Sequence, residues 1–235
     1  MKQENYMKGM VMIILSAFFF ACMNVSVRLA GDIPSFQKSF FRNLVAVIFA
    51  GVILLKNHEI PKVKKQYWGP LFLRCAFGTM GILCNFYAID HLLVADASIL
   101  NKLSPFFAII FSFLLLKEKI TPVQGFAVLL AFTGCLFVVK PGFANAALLP
   151  ALIGVCGGLG AGIAYTMVRV LGTHGVRGPV IVFYFSLFSC LVILPFVLMN
   201  YTPMSAGQLG TLLMAGLFAA GGQFTITAAY TYAPA

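Results

Sequence analysis

Charge is what this sequence lacks. Only 9% of its 235 residues are Asp, Glu, Lys or Arg, and six acids stand against sixteen basic residues. A water-soluble domain is about a quarter charged, so this chain cannot cover itself with a polar surface. The shortage excludes a soluble globular fold and leaves the bilayer as solvent. No Gly-x-x-x-x-Gly-Lys-Ser/Thr run occurs, which excludes the phosphate-cradling loop of ATP-driven machines. No Cys-x-x-Cys occurs among the six cysteines (Cys22, Cys75, Cys84, Cys135, Cys156 and Cys190), all of which sit in apolar stretches. They read as small hydrophobes in helix packing, with no disulfide framework or metal site. The three histidines, His58, His91 and His174, are scattered. No metal or triad spacing appears, and no cofactor is implied. An intramembrane enzyme acting on a lipid would need a nucleophile, an acid/base pair or a metal, and no such set stands out. The chain is therefore not expected to be an enzyme.

Long apolar runs fill the space that charge leaves. The sequence is 61% hydrophobic with a mean hydropathy of +0.97. A membrane-spanning helix needs about 20 mostly apolar residues. Eight stretches qualify: Met10–Ala30, Ser35–Leu55, Tyr67–Ile89, Val94–Leu116, Thr121–Val139, Leu148–Leu171, Pro179–Met199 and Gln208–Tyr232. No long polar insert separates them, so the expected fold class is an all-α, polytopic membrane helix bundle. The first stretch reads as an uncleaved first span rather than a signal peptide, since its apolar run is long, ends in Arg28 and lacks an Ala-x-Ala site.

An internal repeat organises these spans. Shifting the chain by 141 residues lays Ala17, Ala21, Asn24 and Arg28 on Gly158, Gly162, Tyr165 and Arg169. Both sets lie on one helix face. The same shift carries Arg74, Gly78, Gly81, Asn85 and Ala88 onto Ala215, Ala219, Gly222, Ile226 and Ala229. The first copy, residues 1–142, holds five spans; the second, 148–235, holds three. Five is odd, so the second copy must enter the membrane inverted. Inverted repeats with small-residue faces are characteristic of secondary transporters, whose related halves exchange conformations. Under the shift Ala235 matches Val94, so residues 95–140 of the first copy find no counterpart. The sequence thus reads as about eight spans of ten, with the second repeat incomplete.

Basic residues sort by membrane side, which accounts for the net charge of +10 without nucleic acid. With the N-terminus cytoplasmic, the inner side holds Lys2, Lys8, Lys56, Lys62, Lys64, Lys65, Lys117, Lys119, Arg169 and Arg177. The outer loops then hold only Arg28, Lys38 and Lys140. This bias predicts a multi-pass protein of the cell membrane with its N-terminus inside.

The segment Ser104–Gly142 resembles the fourth-to-fifth-span region of the EamA family, within the drug/metabolite transporter superfamily. The matching elements are Pro105, the Lys117-Glu118-Lys119 turn, Gln124-Gly125, Gly134 and Pro141-Gly142. SFFRN at Ser39–Asn43 resembles the family's second span, and NFYAIDHLLVADAS at Asn85–Ser98 its third-to-fourth turn. The resemblance implies ten spans in two five-helix repeats and secondary transport of small metabolites. The absent ninth and tenth spans depart from it. The competing reading is a non-transporting membrane fragment or partner subunit left by truncation.

Polar groups within spans mark candidate solute contacts, because a charge at a helix centre costs roughly 2.5–3.5 kcal/mol on insertion scales. Arg74 and Asn85 bracket a small-residue face of the third span. Asn101 lies on a polar stripe of the fourth, which Pro105 is expected to kink, with Lys102 adjacent. Arg42 lies inside the second span. Snorkelling or structural pairing competes for Arg42, Arg74 and Lys102, and helix–helix hydrogen bonding for Asn85 and Asn101. Asn24 and Tyr165 are matched by the repeat, Tyr165 also fitting an interfacial belt with Tyr67 and Trp68. Gln223 is the weaker candidate, since the shift matches it to apolar Ile82. Arg28 reads as helix-end packing. All six acids (Glu4, Asp32, Glu59, Asp90, Asp96 and Glu118) lie at tails, turns or span ends. The spans thus offer basic and amide groups, which suits a neutral, zwitterionic or anionic small molecule. Nothing in the sequence specifies an oligomeric state.

Overall fold

The computed structural model describes residues 2–58, 61–117, 121–139 and 148–232. Helix is the only regular structure among them, as a bilayer demands of any chain that must satisfy its own backbone hydrogen bonds. The helices are α1 (Lys2–Leu29), α2 (Ser35–Lys56), α3 (Trp68–His91), α4 (Val94–Asn101), α5 (Ser104–Leu116), α6 (Pro122–Val139), α7 (Leu148–Thr173), α8 (Gly178–Met199) and α9 (Ala206–Tyr232). Among the described residues, seven segments are long and apolar enough to cross a membrane, α4 and α5 together forming one of them. A shorter apolar helix, Pro122–Gly134, occupies the expected fifth span. Glu59, Glu118, Lys119, Lys140, Pro141 and Gly142 lie outside the described residues.

The polarity is that of a membrane protein. Large apolar side chains such as Ile14, Phe18, Leu55 and Leu129 are exposed, while Asn24, Arg42, Asn43, Arg74, Asn85 and Gln223 are buried. Outward apolar groups cost nothing in lipid, and inward polar groups find partners there.

Contacts at the two ends fix the helix directions. The Arg28 Nη1 atom, at the end of α1, donates to the carbonyl oxygens of Ile89 and Asp90 at the end of α3. At the opposite end, His174 after α7 packs on Tyr67 before α3, with ring centroids 4.9 Å apart. Hence α1 runs with α3, and α7 runs against both. Gln208 of α9 donates to Ala30 beyond α1, and Gln37 of α2 exchanges hydrogen bonds with Thr202 beyond α8. Each helix thus opposes its match under the 141-residue shift: α1 with α7, α2 with α8, α3 with α9. The packing follows the same relation. The α1–α9 and α3–α7 interfaces exchange under the shift, and α2–α8 maps onto itself.

Glycines set how closely these helices approach. A Cβ on Gly160 would lie 2.9 Å from the Phe77 carbonyl oxygen of α3. One on Gly158 would lie 2.7 Å from the Leu100 carbonyl oxygen of α4. The small-residue face of α7 therefore holds α3 and α4 at backbone contact, the use that membrane helices make of such stripes.

The fourth span is broken rather than kinked. Residues Lys102 and Leu103 form a turn, and Pro105 sits in the first turn of α5. Proline lacks the N–H that an uninterrupted helix would send to Asn101, and its fixed φ suits a helix start. The sequence located the irregularity correctly and misjudged its form.

Lys38 departs from its expected place in an outer loop. It lies in the first turn of α2, 1% exposed, and pairs through Nζ with Asp90 Oδ1, while Ser35 Oγ donates to Asp90 Oδ2 at 2.7 Å. This cluster ties the α1–α2 junction to the end of α3. Asp90→Asn leaves Lys38 charged and poorly paired, and is expected to lower stability by about 1.5–3 kcal/mol. A Lys38→Met/Asp90→Leu double variant is expected to recover most of that loss, since it removes both charges together. Thermal unfolding of the detergent-solubilised variants checks this; equal losses in the single and double variants would refute it.

Candidate functional site

At the centre of the bundle Arg42 of α2 and Arg74 of α3 line one cavity with Asn85, Asn101, Tyr165 and Gln223. Both arginines are 1% exposed. Both flank the ring of Phe185 on α8. The Arg74 Cζ lies 3.8 Å from the ring centroid and the Arg42 Cζ 5.9 Å from it. A desolvated guanidinium over an aromatic face gains about 2 kcal/mol, far less than its lost hydration. Gly78 makes the stack possible: a Cβ there would collide with the Arg74 guanidinium and the Phe185 ring.

Neutral groups supply the remaining partners. Arg74 Nη2 donates to Gln223 Oε1 at 2.8 Å, linking α3 to α9. Arg42 Nη1 donates to Asn43 Oδ1 at 2.8 Å. The Nε atoms of both arginines and the Oδ1 atom of Asn85 make no hydrogen bond among the described residues. None of the described residues lining the cavity is acidic. The site is electropositive and underpartnered, a state that favours an incoming acceptor.

A second cavity adjoins the first and shares Phe20, Asn101 and Tyr165 with it. Its volume is about 130 Å³, against about 50 Å³ for the first. Ser16, Ala17, Ala21, Asn24, Ser98, Lys102 and Ser104 contribute to its wall. Asn24 Nδ2 donates to Ser98 Oγ at 3.1 Å, and Asn85 Nδ2 donates to Asn24 Oδ1 at 3.5 Å. That chain ties α1, α3 and α4 together beside the break in the fourth span. Irregular backbone at membrane depth is tolerated where it lines a cavity.

All eight residues singled out from the sequence therefore line these two cavities, with differing surroundings. Arg42, Arg74, Asn24, Asn85 and Gln223 are buried, and Lys102 is exposed at the rim. Tyr165 stacks on Tyr230 with centroids 5.2 Å apart, so its ring belongs to the interior rather than to the belt. Tyr67 packs on His174 and Trp68 on Tyr184 at the other end of α3. Gln223, a weaker candidate from the repeat, accepts a hydrogen bond directly from Arg74. Phe185 carried no polar signal and was missed. A phenylalanine in an apolar span is indistinguishable from its lipid-facing neighbours until the helices are placed.

Comparisons agree with this architecture. The profile of the EamA-like transporter family matches residues 7–140. The pseudopaline exporter CntI of Pseudomonas aeruginosa (strain UCBPP-PA14) is 31% identical over 226 residues, covering 95% of this chain and 78% of that protein. Solute carrier family 35 member G1 of Mus musculus is 32% identical over 138 residues, covering 57% of this chain and 37% of that protein. The riboflavin transporter of Brucella anthropi is 27% identical over 125 residues, 52% of this chain and 44% of that one. One known crystal structure shares the fold with a TM-score of 0.73 at 12% identity, covering 94% of this chain and 78% of that one.

Proposed function

Since this chain belongs to the EamA-like transporter family and is a multi-pass membrane transporter, we propose that it moves a small metabolite by alternating access as a secondary transporter. The observation that carries this reading is the central cavity. Both copies of the repeat contribute to its wall: Arg42, Arg74 and Asn85 from the first, Tyr165 and Gln223 from the second. A site at the junction of opposed repeats is where the exchange of two related conformations alternates exposure. The solute is neutral, zwitterionic or anionic, because the wall offers guanidinium and amide donors with no acid among its described residues. Arg74 and Asn85 are the principal contacts, with Arg42, Asn101, Gln223, Asn24, Tyr165 and Lys102 contributing around them. The chain binds and moves its solute without a reaction or a cofactor of its own.

The membrane is the cell membrane, and the end bearing Lys56, Lys62, Lys64 and Lys65 faces the cytoplasm, following the positive-inside bias. Reconstituted vesicles test transport. Uptake and counterflow of labelled neutral, zwitterionic and anionic metabolites are followed with gradients in both directions. Saturable, protein-dependent counterflow of one class is expected. Failure of every solute in both directions would overturn the reading and leave a non-transporting membrane subunit. Orientation is tested separately in a cysteine-free background. His58→Cys is expected to resist an impermeant maleimide in intact cells, while Asp32→Cys reacts. The reverse pattern would invert the assignment.

A further inference from the structure

We infer that the central cavity is a dianion site, in which Arg42 and Arg74 together select a small organic solute bearing two negative charges. This inference rests on the reading of that cavity as the solute site and narrows what it accepts.

Both arginines are 1% exposed and line the same cavity. Arginine does not deprotonate in proteins, so each carries a full positive charge. Burying one such ion costs several kcal/mol after relaxation, and a like charge nearby adds to that cost. Phe185 and the oxygens of Gln223 and Asn43 offset part of it with neutral partners. The acids whose side chains are described are engaged or placed elsewhere. Asp90 pairs with Lys38, Asp32 lines a cleft at the same end of the bundle, and Asp96 begins α4. Two positive charges thus face the cavity with no protein counter-charge among the described residues. One carboxylate neutralises half of that.

The unsatisfied atoms agree with the count. Each arginine retains an Nε without a hydrogen-bond partner. An Nε–H beside a terminal N–H is one edge of the guanidinium fork that takes two oxygens of a carboxylate or phosphate at once. Two forks admit two carboxylates, or a phosphomonoester whose oxygens divide between them. The cavity volume of about 50 Å³ suits the charged groups themselves. The adjoining space of about 130 Å³, lined mostly by small, apolar and neutral polar residues, takes an uncharged body of a few carbon atoms.

Equilibrium binding to the purified full chain, without any gradient, tests this independently of transport. The probes are succinate and glycerol 3-phosphate as dianions, butyrate as monoanion, succinamide as neutral isostere, and chloride. A dianion is expected to bind at least about tenfold more tightly than butyrate, the advantage of a second charge-assisted contact. Preference for succinate identifies a dicarboxylate, and preference for glycerol 3-phosphate a phosphate ester. Arg42→Gln and Arg74→Gln are each expected to abolish the dianion preference, bringing succinate or glycerol 3-phosphate to within a few-fold of butyrate measured on the same variant. Arg42→Lys, which keeps the charge if Arg42→Gln fails to fold, is expected to weaken binding yet retain the dianion preference. Equal binding of dianion, monoanion and chloride would overturn the inference, as would an unchanged preference in Arg42→Gln. Dianion binding without movement in vesicles would sink the transport reading and keep the site. Movement of neutral solutes alone would do the reverse.

Discussion

Arg74→Ala is expected to reduce transport in reconstituted vesicles by about 30-fold or more while the protein still inserts and purifies. Arg74 is fully buried, stacked on Phe185 and bonded to Gln223, and its Nε is unsatisfied. Truncating one partner of a buried, hydrogen-bonded charge pair costs about 2–5 kcal/mol of binding, roughly 30-fold to several thousand-fold. Insertion survives because removing an unneutralised charge from a membrane helix lowers its insertion cost. Arg74→Lys separates charge from geometry. An ammonium group keeps the positive charge, but cannot present a planar fork or stack on the Phe185 face. We expect it to lie between wild type and Arg74→Ala. Wild-type affinity and rate in both variants would show that the guanidinium serves only the fold.

The second large effect belongs to the α7 glycines. Gly158→Ala adds a methyl group where the Leu100 carbonyl oxygen stands 2.7 Å away, and Gly160→Ala adds one 2.9 Å from the Phe77 carbonyl oxygen. Backbone cannot rotate aside as a side chain does, so α4 or α3 must move. Overpacking a close interface costs about 1–3 kcal/mol, and valine at either position is expected to prevent recovery of folded protein. Gly210→Ala is the control. A Cβ there meets nothing within 4 Å, and alanine in a helix interior is favoured over glycine by about 0.5–1 kcal/mol. Thermal unfolding in detergent should therefore rank Gly210→Ala at or above wild type, with Gly158→Ala and Gly160→Ala below it. A loss in Gly210→Ala equal to theirs would mean that helix flexibility, not approach distance, is what these glycines provide. Gly158→Ala carries a functional corollary: shifting α4 displaces Asn101 and Ser98, which line the second cavity.

Much of this was legible in the chain because a bilayer makes secondary structure a local question. Backbone groups in hydrocarbon must be satisfied within their own helix, so an apolar run of sufficient length declares a span without reference to its neighbours. The spans, the irregularity near Pro105 and the opposed repeat copies follow from hydropathy, a proline and a shift of register. Arg74 and Asn85 on the small-residue face of the third span and the Arg42 position were equally plain, since few residues of that kind sit in apolar surroundings.

Partnership was not legible, for a physical reason. Gln223 lies 149 residues from Arg74, and the repeat matches it to Ile82. Symmetry therefore pointed away from the side chain whose Oε1 accepts a hydrogen bond from Arg74 Nη2. A repeat transmits helix direction and packing order, whereas chemistry at matched positions diverges. The ion pair of Lys38 with Asp90 joins residues 52 apart, at the start of α2 and the end of α3, a neighbourhood that hydropathy does not specify. Phe185 becomes a platform for two guanidinium groups through the rotation of α8 about its axis, which a uniformly apolar helix does not encode in its periodicity. Hydropathy, composition and the repeat register fix the solvent, the spans, the inverted order and the scarcity of acid within spans. Which faces meet is settled by tertiary packing. That choice depends on side-chain volumes and backbone approach across several helices at once, quantities that no single segment contains.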